Sequence, residues 1–171
     1  MAKAASIGPH LTRAAGKTVA ALKRRKLSVI TAESCTAGLI AACLSLGDGA
    51  SDVLEGGFTT YTKEQKSAAL GVAKRLMATK GCVNAACVRA MAAGAFKRSK
   101  ANIALAVSGV MGPRPDEDGN PVGLVYFCCH RRGKTPKVTR EAFGFAPHDE
   151  LRAATVLEAL RLIRYAARSR A

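Results

Sequence analysis

The sequence predicts a single-domain α/β fold, a layered α/β/α arrangement around a mixed sheet. Three observations carry that reading. The runs LSVITA (27–32) and ANIALAVSGV (101–110) are apolar without alternation, as strands covered on both faces must be. The segments between them repeat apolar residues at spacings of three and four, the helical period. Late in the chain, GLVYFCCHRR (123–132) and KVTREAFGF (137–145) are separated only by Gly133-Lys134-Thr135-Pro136, so they form a hairpin and part of the sheet is antiparallel.

The elements follow in order. Leu11, Ala15, Val19 and Leu22 give one apolar face to a helix over 9–25. The strand 27–32 leads into a helix over 35–46, ended by Gly47-Asp48-Gly49. Phe58-Thr59-Thr60-Tyr61-Thr62, preceded by Gly56-Gly57, is β-branched and aromatic enough for a strand, and a short helix starts at Lys63. Asn84 caps a helix running through Val88, Met91 and Ala92 to Ser99. After the strand 101–110, residues 109–121 hold three Pro, three Gly and an acidic patch, which makes them a loop. Pro147 starts a last helix, His148 to about Arg168, with Leu151, Ala154, Leu157, Leu160 and Ile163 on one face. Residues 1–8 read as a flexible N-terminal segment and 9–169 as the domain.

Of the 171 residues, 27 are Lys or Arg and 12 Asp or Glu, a formal net charge of +15 that brings nucleic acid, anionic small molecules and membrane surfaces into question as partners. The basic residues are scattered (Lys23 to Lys26, Lys97-Arg98, Arg131-Arg132, Arg161 to Arg170), with no zinc-finger spacing and no aromatic RNA-binding strand, which argues against a specific nucleic-acid function. The six cysteines (35, 43, 82, 87, 128, 129) form no Cys-x-x-Cys pair. Cys128-Cys129-His130 lies in a strand whose neighbours point to opposite faces, so it holds no metal, and the thiols read as buried and free. With no signal peptide and no apolar run long enough to span a bilayer, the expected setting is a reducing cytoplasm.

Chemistry concentrates at Thr31-Ala32-Glu33-Ser34-Cys35-Thr36-Ala37-Gly38, where a strand turns into a helix. Ser34 there is open to two readings: a helix cap, or a nucleophile whose oxyanion the following N–H groups would hold. A nucleophilic serine needs a base. His10, His130 and His148 each read as surface residues, which leaves a lysine of lowered pKa, as in Ser-Lys hydrolases. Tyr61 and Lys66 flank the next strand-to-helix turn and can point into one cleft, although a Tyr packed at a sheet edge and a solvated Lys account for the spacing equally well. Ser108-Gly109-Val110-Met111-Gly112-Pro113 and Pro121-Val122-Gly123 either let a phosphate or ribose approach the backbone or simply turn the loop. No Walker or Rossmann glycine pattern is present.

Taken in order, Ala32-Glu33-Ser34-Cys35-Thr36-x-Gly38, Gly57-Phe58-x-Thr60-Tyr61-x-x-x-x-Lys66, Leu70-Gly71-Val72, Ser108-Gly109-x-x-Gly112-Pro113 and Pro121-Val122-Gly123 resemble the CinA C-terminal domain, the nicotinamide-nucleotide amidohydrolase family. The resemblance covers roughly residues 10–165. It implies deamidation of nicotinamide mononucleotide to nicotinic acid mononucleotide and ammonia, without metal or organic cofactor. By the same resemblance Ser34 is the nucleophile, Lys66 its base and the later proton donor, and Tyr61 a relay or orienting group. The N–H groups near Cys35 and Thr36 hold the oxyanion. Gly38, Ser108, Gly109, Gly112 and Gly123 belong to the substrate pocket. A homo-oligomer acting on a small pyridine mononucleotide is expected, with no specific nucleic-acid and no membrane partner. The chain departs from the family pattern at Thr36-Ala37-Gly38, Val83-Asn84-Ala85, Val122-Gly123-Leu124 and above all Phe145-Ala146-Pro147, where a Gly-Asp-Arg is common. His148 and Arg152 are the nearest replacements for that Arg. The alternative function is a catalytically impaired module that binds a nucleotide or partner.

Overall fold

The computed structural model describes residues 7–168. Residues 1–6 of the segment 1–8, and 169–171, lie outside the described residues. Five strands form one mixed sheet: β1 (Val29–Glu33), β2 (Leu54–Thr59), β3 (Ile103–Gly109), β4 (Leu124–Arg131) and β5 (Lys137–Ala142), in the order β2-β1-β3-β4-β5. β1 runs parallel to both its neighbours, while β3–β4 and β4–β5 are antiparallel. The helices are α1 (Pro9–Arg24), α2 (Leu39–Ser45), α3 (Lys63–Leu70), α4 (Lys74–Lys80), α5 (Ala85–Lys97) and α6 (His148–Arg168), with a 3-10 turn at Ala50–Asp52.

Every residue of β1 is buried, because helices cover both faces. Val29, Ile103, Leu105, Val107 and Phe127 meet α1, α2 and α6 on one side. Ala32, Ala104, Ala106 and Cys128 meet α5 on the other. In β3 the large side chains Ile103, Leu105 and Val107 and the small Ala104 and Ala106 therefore take opposite faces, as the two-residue period requires. Among the described residues no helix is long and apolar enough to cross a membrane.

Four details differ from the sequence expectation. The helix expected over 35–46 begins only at Leu39, because Ala37 and Gly38 take left-handed backbone angles (φ 53 and 94) in a turn. β2 lies earlier than 58–62 and includes Gly56 and Gly57. A Cβ on Gly57 would stand 2.4 Å from the Thr31 hydroxyl oxygen, so Gly57 lets the parallel pair close. α4 follows α3 as a separate helix, since Gly71 (φ 71) ends α3. On α6 the buried face is Leu151, Thr155, Val156, Ala159, Leu160 and Ile163, and Leu157 points outward. The Asn84 cap is in place, its Oδ1 accepting the Cys87 N–H at 2.9 Å.

Candidate active site

The carboxyl ends of β1, β2 and β3 come together at one edge of the parallel half-sheet, where ligands of open α/β sheets characteristically bind. The β1 ladder continues one residue past the strand, Ser34 N–H donating to the Val107 carbonyl at 3.1 Å. Because neighbours along a strand alternate, Glu33 faces the α2 layer and Ser34 faces α3.

Glu33, 1% exposed, accepts four hydrogen bonds. Thr31 Oγ1 (3.0 Å) and the Ala41 N–H (2.9 Å) donate to one carboxylate oxygen, and Thr36 Oγ1 (2.7 Å) and the Ile40 N–H (3.0 Å) to the other. The Leu39 N–H goes to the Thr36 carbonyl and the Ala42 N–H to that of Gly38, so the start of α2 has no amide left over. The cap of α2 is therefore a glutamate reaching from the preceding strand, and Ser34 takes no part in it.

What Ser34 meets is Lys66. The Lys66 side chain, 2% exposed, runs inward from α3 and places Nζ 2.9 Å from Ser34 Oγ. Nζ also donates to the carbonyls of Thr60 (2.9 Å) and Tyr61 (3.2 Å). Thr60 is itself hooked onto β1, its N–H donating to the Glu33 carbonyl at 2.7 Å. Lys66 makes no ion pair among the described residues, and burial holds its amine below the usual lysine range. In the neutral form two N–H groups satisfy two carbonyls and the lone pair is left for the Ser34 proton. The other two nucleophile types of the motif are disarmed: burial pushes the Cys35 thiol up to about 12, so it stays protonated, and the Thr36 hydroxyl is spent on Glu33. The N–H groups of Cys35 and Thr36, in the turn that follows Ser34, donate to no backbone carbonyl among the described residues.

A cavity of about 520 Å³ opens at this point. Of the residues singled out from sequence, Ser34, Cys35, Tyr61, Lys66, Ser108, Gly109 and Gly112 line it, and Thr36, Gly38 and Gly123 do not. Gly123 is small for another reason: a Cβ there would strike the Gly144 carbonyl oxygen at 2.1 Å, so it serves the packing of β4. Gly109 lines the cavity, but its Cβ position is already occupied by Val125 and the Leu124 carbonyl. Tyr61 orients Lys66 through its carbonyl, while its side chain is 63% exposed at the rim.

Two features escaped the sequence reading, and a third was seen only in part. Glu33 stood inside the motif without a role; the signal available was a buried-strand carboxylate with hydroxyls two residues before and three after. His148, read from its position as a surface residue and named with Arg152 as a replacement for the family's Arg, is exposed and lines the cavity mouth, with Arg152 Nη2 3.4 Å from its Nε2. The loop 109–121 folds back over α3 through an ion pair between Lys63 and Glu117, which loop composition alone does not reveal. Among the described residues no cluster of His, Cys, Asp and Glu is arranged to hold a metal.

Compared with known protein families, residues 11–167 match the CinA C-terminal domain. The chain belongs to the CinA C-terminal domain family. Among CinA relatives, the nicotinamide-nucleotide amidohydrolase PncC of Escherichia coli K12 is 41% identical over 107 residues, 63% of this chain and 65% of that protein. A CinA-like protein of Geobacter sulfurreducens is 41% identical over 148 residues, 85% of this chain and 35% of that one. The chain thus spans only part of the length of these curated relatives, about a third for the CinA-like protein. Among solved CinA structures, the competence/damage inducible protein CihA from Agrobacterium tumefaciens superposes with a TM-score of 0.89 at 35% identity, over 95% of this chain and 98% of its own. The mixed five-stranded α/β fold is therefore that of the CinA superfamily.

Proposed function

We propose that this CinA domain is an amidohydrolase that converts nicotinamide mononucleotide to nicotinic acid mononucleotide and ammonia through an acyl-enzyme on Ser34. The observation that carries the reading is the buried Lys66 amine 2.9 Å from Ser34 Oγ, oriented by the Thr60 and Tyr61 carbonyls. The neutral amine takes the Ser34 proton as Oγ attacks the carboxamide carbon. The oxyanion that forms is held by the Cys35 and Thr36 N–H groups. As the C–N bond breaks, the Lys66 ammonium returns the proton to the leaving nitrogen, which departs as ammonia. Water then attacks the ester, giving its proton to Lys66, and collapse of the second tetrahedral intermediate returns that proton to Ser34 and releases the acid. The name of the Escherichia coli relative supports the substrate. In this reading the enzyme works in a reducing cytoplasm as a homo-oligomer, with no nucleic-acid or membrane partner.

A second reading, a module that binds the nucleotide without hydrolysing it, draws on His148 standing at the cavity mouth after Phe145-Ala146-Pro147, where the family commonly has Gly-Asp-Arg. Ammonia release from nicotinamide mononucleotide by the wild-type protein, Ser34→Ala and Lys66→Ala decides between them. Release abolished by both substitutions supports the amidase. Thermal stabilisation by the nucleotide with no ammonia from wild type supports the binding module.

A further inference from the structure

The start of α2 poses a competition. Its N-cap residue, Gly38, has no side chain to offer, so the free amides of Ile40 and Ala41 need an acceptor from elsewhere. Ser34 and Thr36, both hydroxyl residues just upstream, are the residue types that ordinarily supply one. In the structure the Glu33 carboxylate takes both amides and the Thr36 hydroxyl as well. The Ser34 hydroxyl is left with Lys66.

We propose that Glu33 is a positioning residue for the Ser34 nucleophile: its buried carboxylate occupies the helix start and anchors the turn through Thr36, so that the Ser34 hydroxyl faces Lys66 and Cys35 stays at the cavity wall. The inference rests on the Ser34–Lys66 amidase reading. Glu33 touches no reacting atom; it acts through the turn 34–38. A carboxylate is suited to this because it has lone pairs for four donors, whereas the amide of Gln has acceptors on one atom only and turns its NH2 toward donors.

Its four contacts also provide an internal control. Thr31 and Thr36 each donate one hydroxyl hydrogen bond to the same carboxylate, but Thr31 lies back in β1 and Thr36 lies in the turn beside Ser34. A purely structural carboxylate loses one comparable hydrogen bond in either variant. A positioning carboxylate loses its hold on the turn only in the second.

The test measures the rate at which a fluorophosphonate serine probe labels Ser34 in the full chain, with kcat and KM for nicotinamide mononucleotide alongside. Ser34→Ala defines the background. The expected result is that Glu33→Gln labels between about tenfold and a hundredfold more slowly, the loss typical of a nucleophile displaced by about an ångström. Its kcat falls in parallel and its KM stays within about twofold. Thr36→Val slows labelling severalfold and Thr31→Val leaves it near wild type, at similar melting temperatures. Labelling of folded Glu33→Gln at the wild-type rate overturns the inference while leaving the amidase reading intact. If Glu33→Gln does not fold, the threonine pair decides, and equal rates for the two overturn the inference. Wild-type protein that neither labels nor releases ammonia removes the amidase reading and this inference together.

Discussion

Two serines bracket β1, and each opens onto a cavity of similar size, about 480 Å³ at the amino end and about 520 Å³ at the carboxyl end. At the amino end, Ser28 donates its hydroxyl to the Glu55 carboxylate at 3.0 Å, and its N–H goes to Asn102 Oδ1 at 2.8 Å. Glu55 is exposed, so its carboxylate stays in contact with water. Lys23 in the same cavity is paired with Asp52 at 3.5 Å. At the carboxyl end Ser34 meets an amine that is buried and has no counter-ion among the described residues. Cavity volume and the presence of a hydroxyl are common to both ends. What separates them is whether the partner of the hydroxyl is starved of water and of opposite charge.

The contrast breaks most directly by exchanging the serines. Ser34→Ala is expected to lower turnover by at least about 10³-fold with the fold intact, the loss typical of removing a nucleophile, while Ser28→Ala stays within about twofold. Equal losses in an ammonia-release assay would remove the distinction between the two ends. Lys66→Met comes next, with a loss of about 10²-fold to 10⁴-fold for a general base.

The pH dependence of Lys66 sharpens the point. The folded protein holds Lys66 below the ordinary lysine value of about 10.4, so across the window between the folded value and 10.4 the unfolded chain binds more protons. The cost of the buried charge is complete below the folded value and is relieved as pH rises through that window. Denaturant titrations should therefore show Lys66→Met more stable than wild type at neutral pH, with the gap closing toward high pH. The wild-type kcat/KM should rise over the lower part of that window, and a profile flat in pH would argue that the amine is not the base.

A smaller effect is expected at Gly94 on α5, where a Cβ would strike the Leu70 carbonyl of α3 at 2.0 Å. Gly94→Ala should cost about 1 to 3 kcal/mol by overpacking and should also lower kcat, because Lys66 rides on the displaced helix. Chemical denaturation with parallel kinetics checks both. Smallest of all, Lys23→Ala at the amino-end cavity should cost under about 1 kcal/mol, as exposed ion pairs do, with turnover unchanged.

How much of this the residues disclose depends on the range of the interaction. The strands β1 and β3, the hairpin of β4 and β5 and the Asn84 cap were legible because continuous apolar runs, turn residues and caps act over a few positions. The start of α2 was misplaced because its cap is a side chain seven and eight residues upstream, where local capping rules do not look. β2 was placed late because the place of Gly57 in a strand comes from the close approach of the neighbouring Thr31, not from its own propensity. At the site, residue types and places at two strand ends left Ser34 open between cap and nucleophile and Lys66 open between base and solvated side chain, and only the family resemblance paired them. Gly38 and Gly123 looked like ligand glycines, yet neither reaches the cavity, and glycines that admit a ligand leave the same letters as glycines that admit a carbonyl.

The Lys66 cradle is made almost wholly from one short stretch of chain. The amine and the two carbonyls that orient it all lie within residues 60 to 66, so this half of the site comes as a prefabricated unit. Ser34 arrives from the end of β1, and the β1–β2 parallel register, with Glu33 opposite Thr59, brings the two halves side by side. A slip of one residue in that pairing would carry the hydroxyl about 3.3 Å along the strand and out of reach of the amine. Labelling of Ser34 by an active-site probe is in this sense a stopwatch for the chain's own assembly: it reports the moment when a long-range parallel pair has locked, which ordinary spectroscopic signals of helix content do not see.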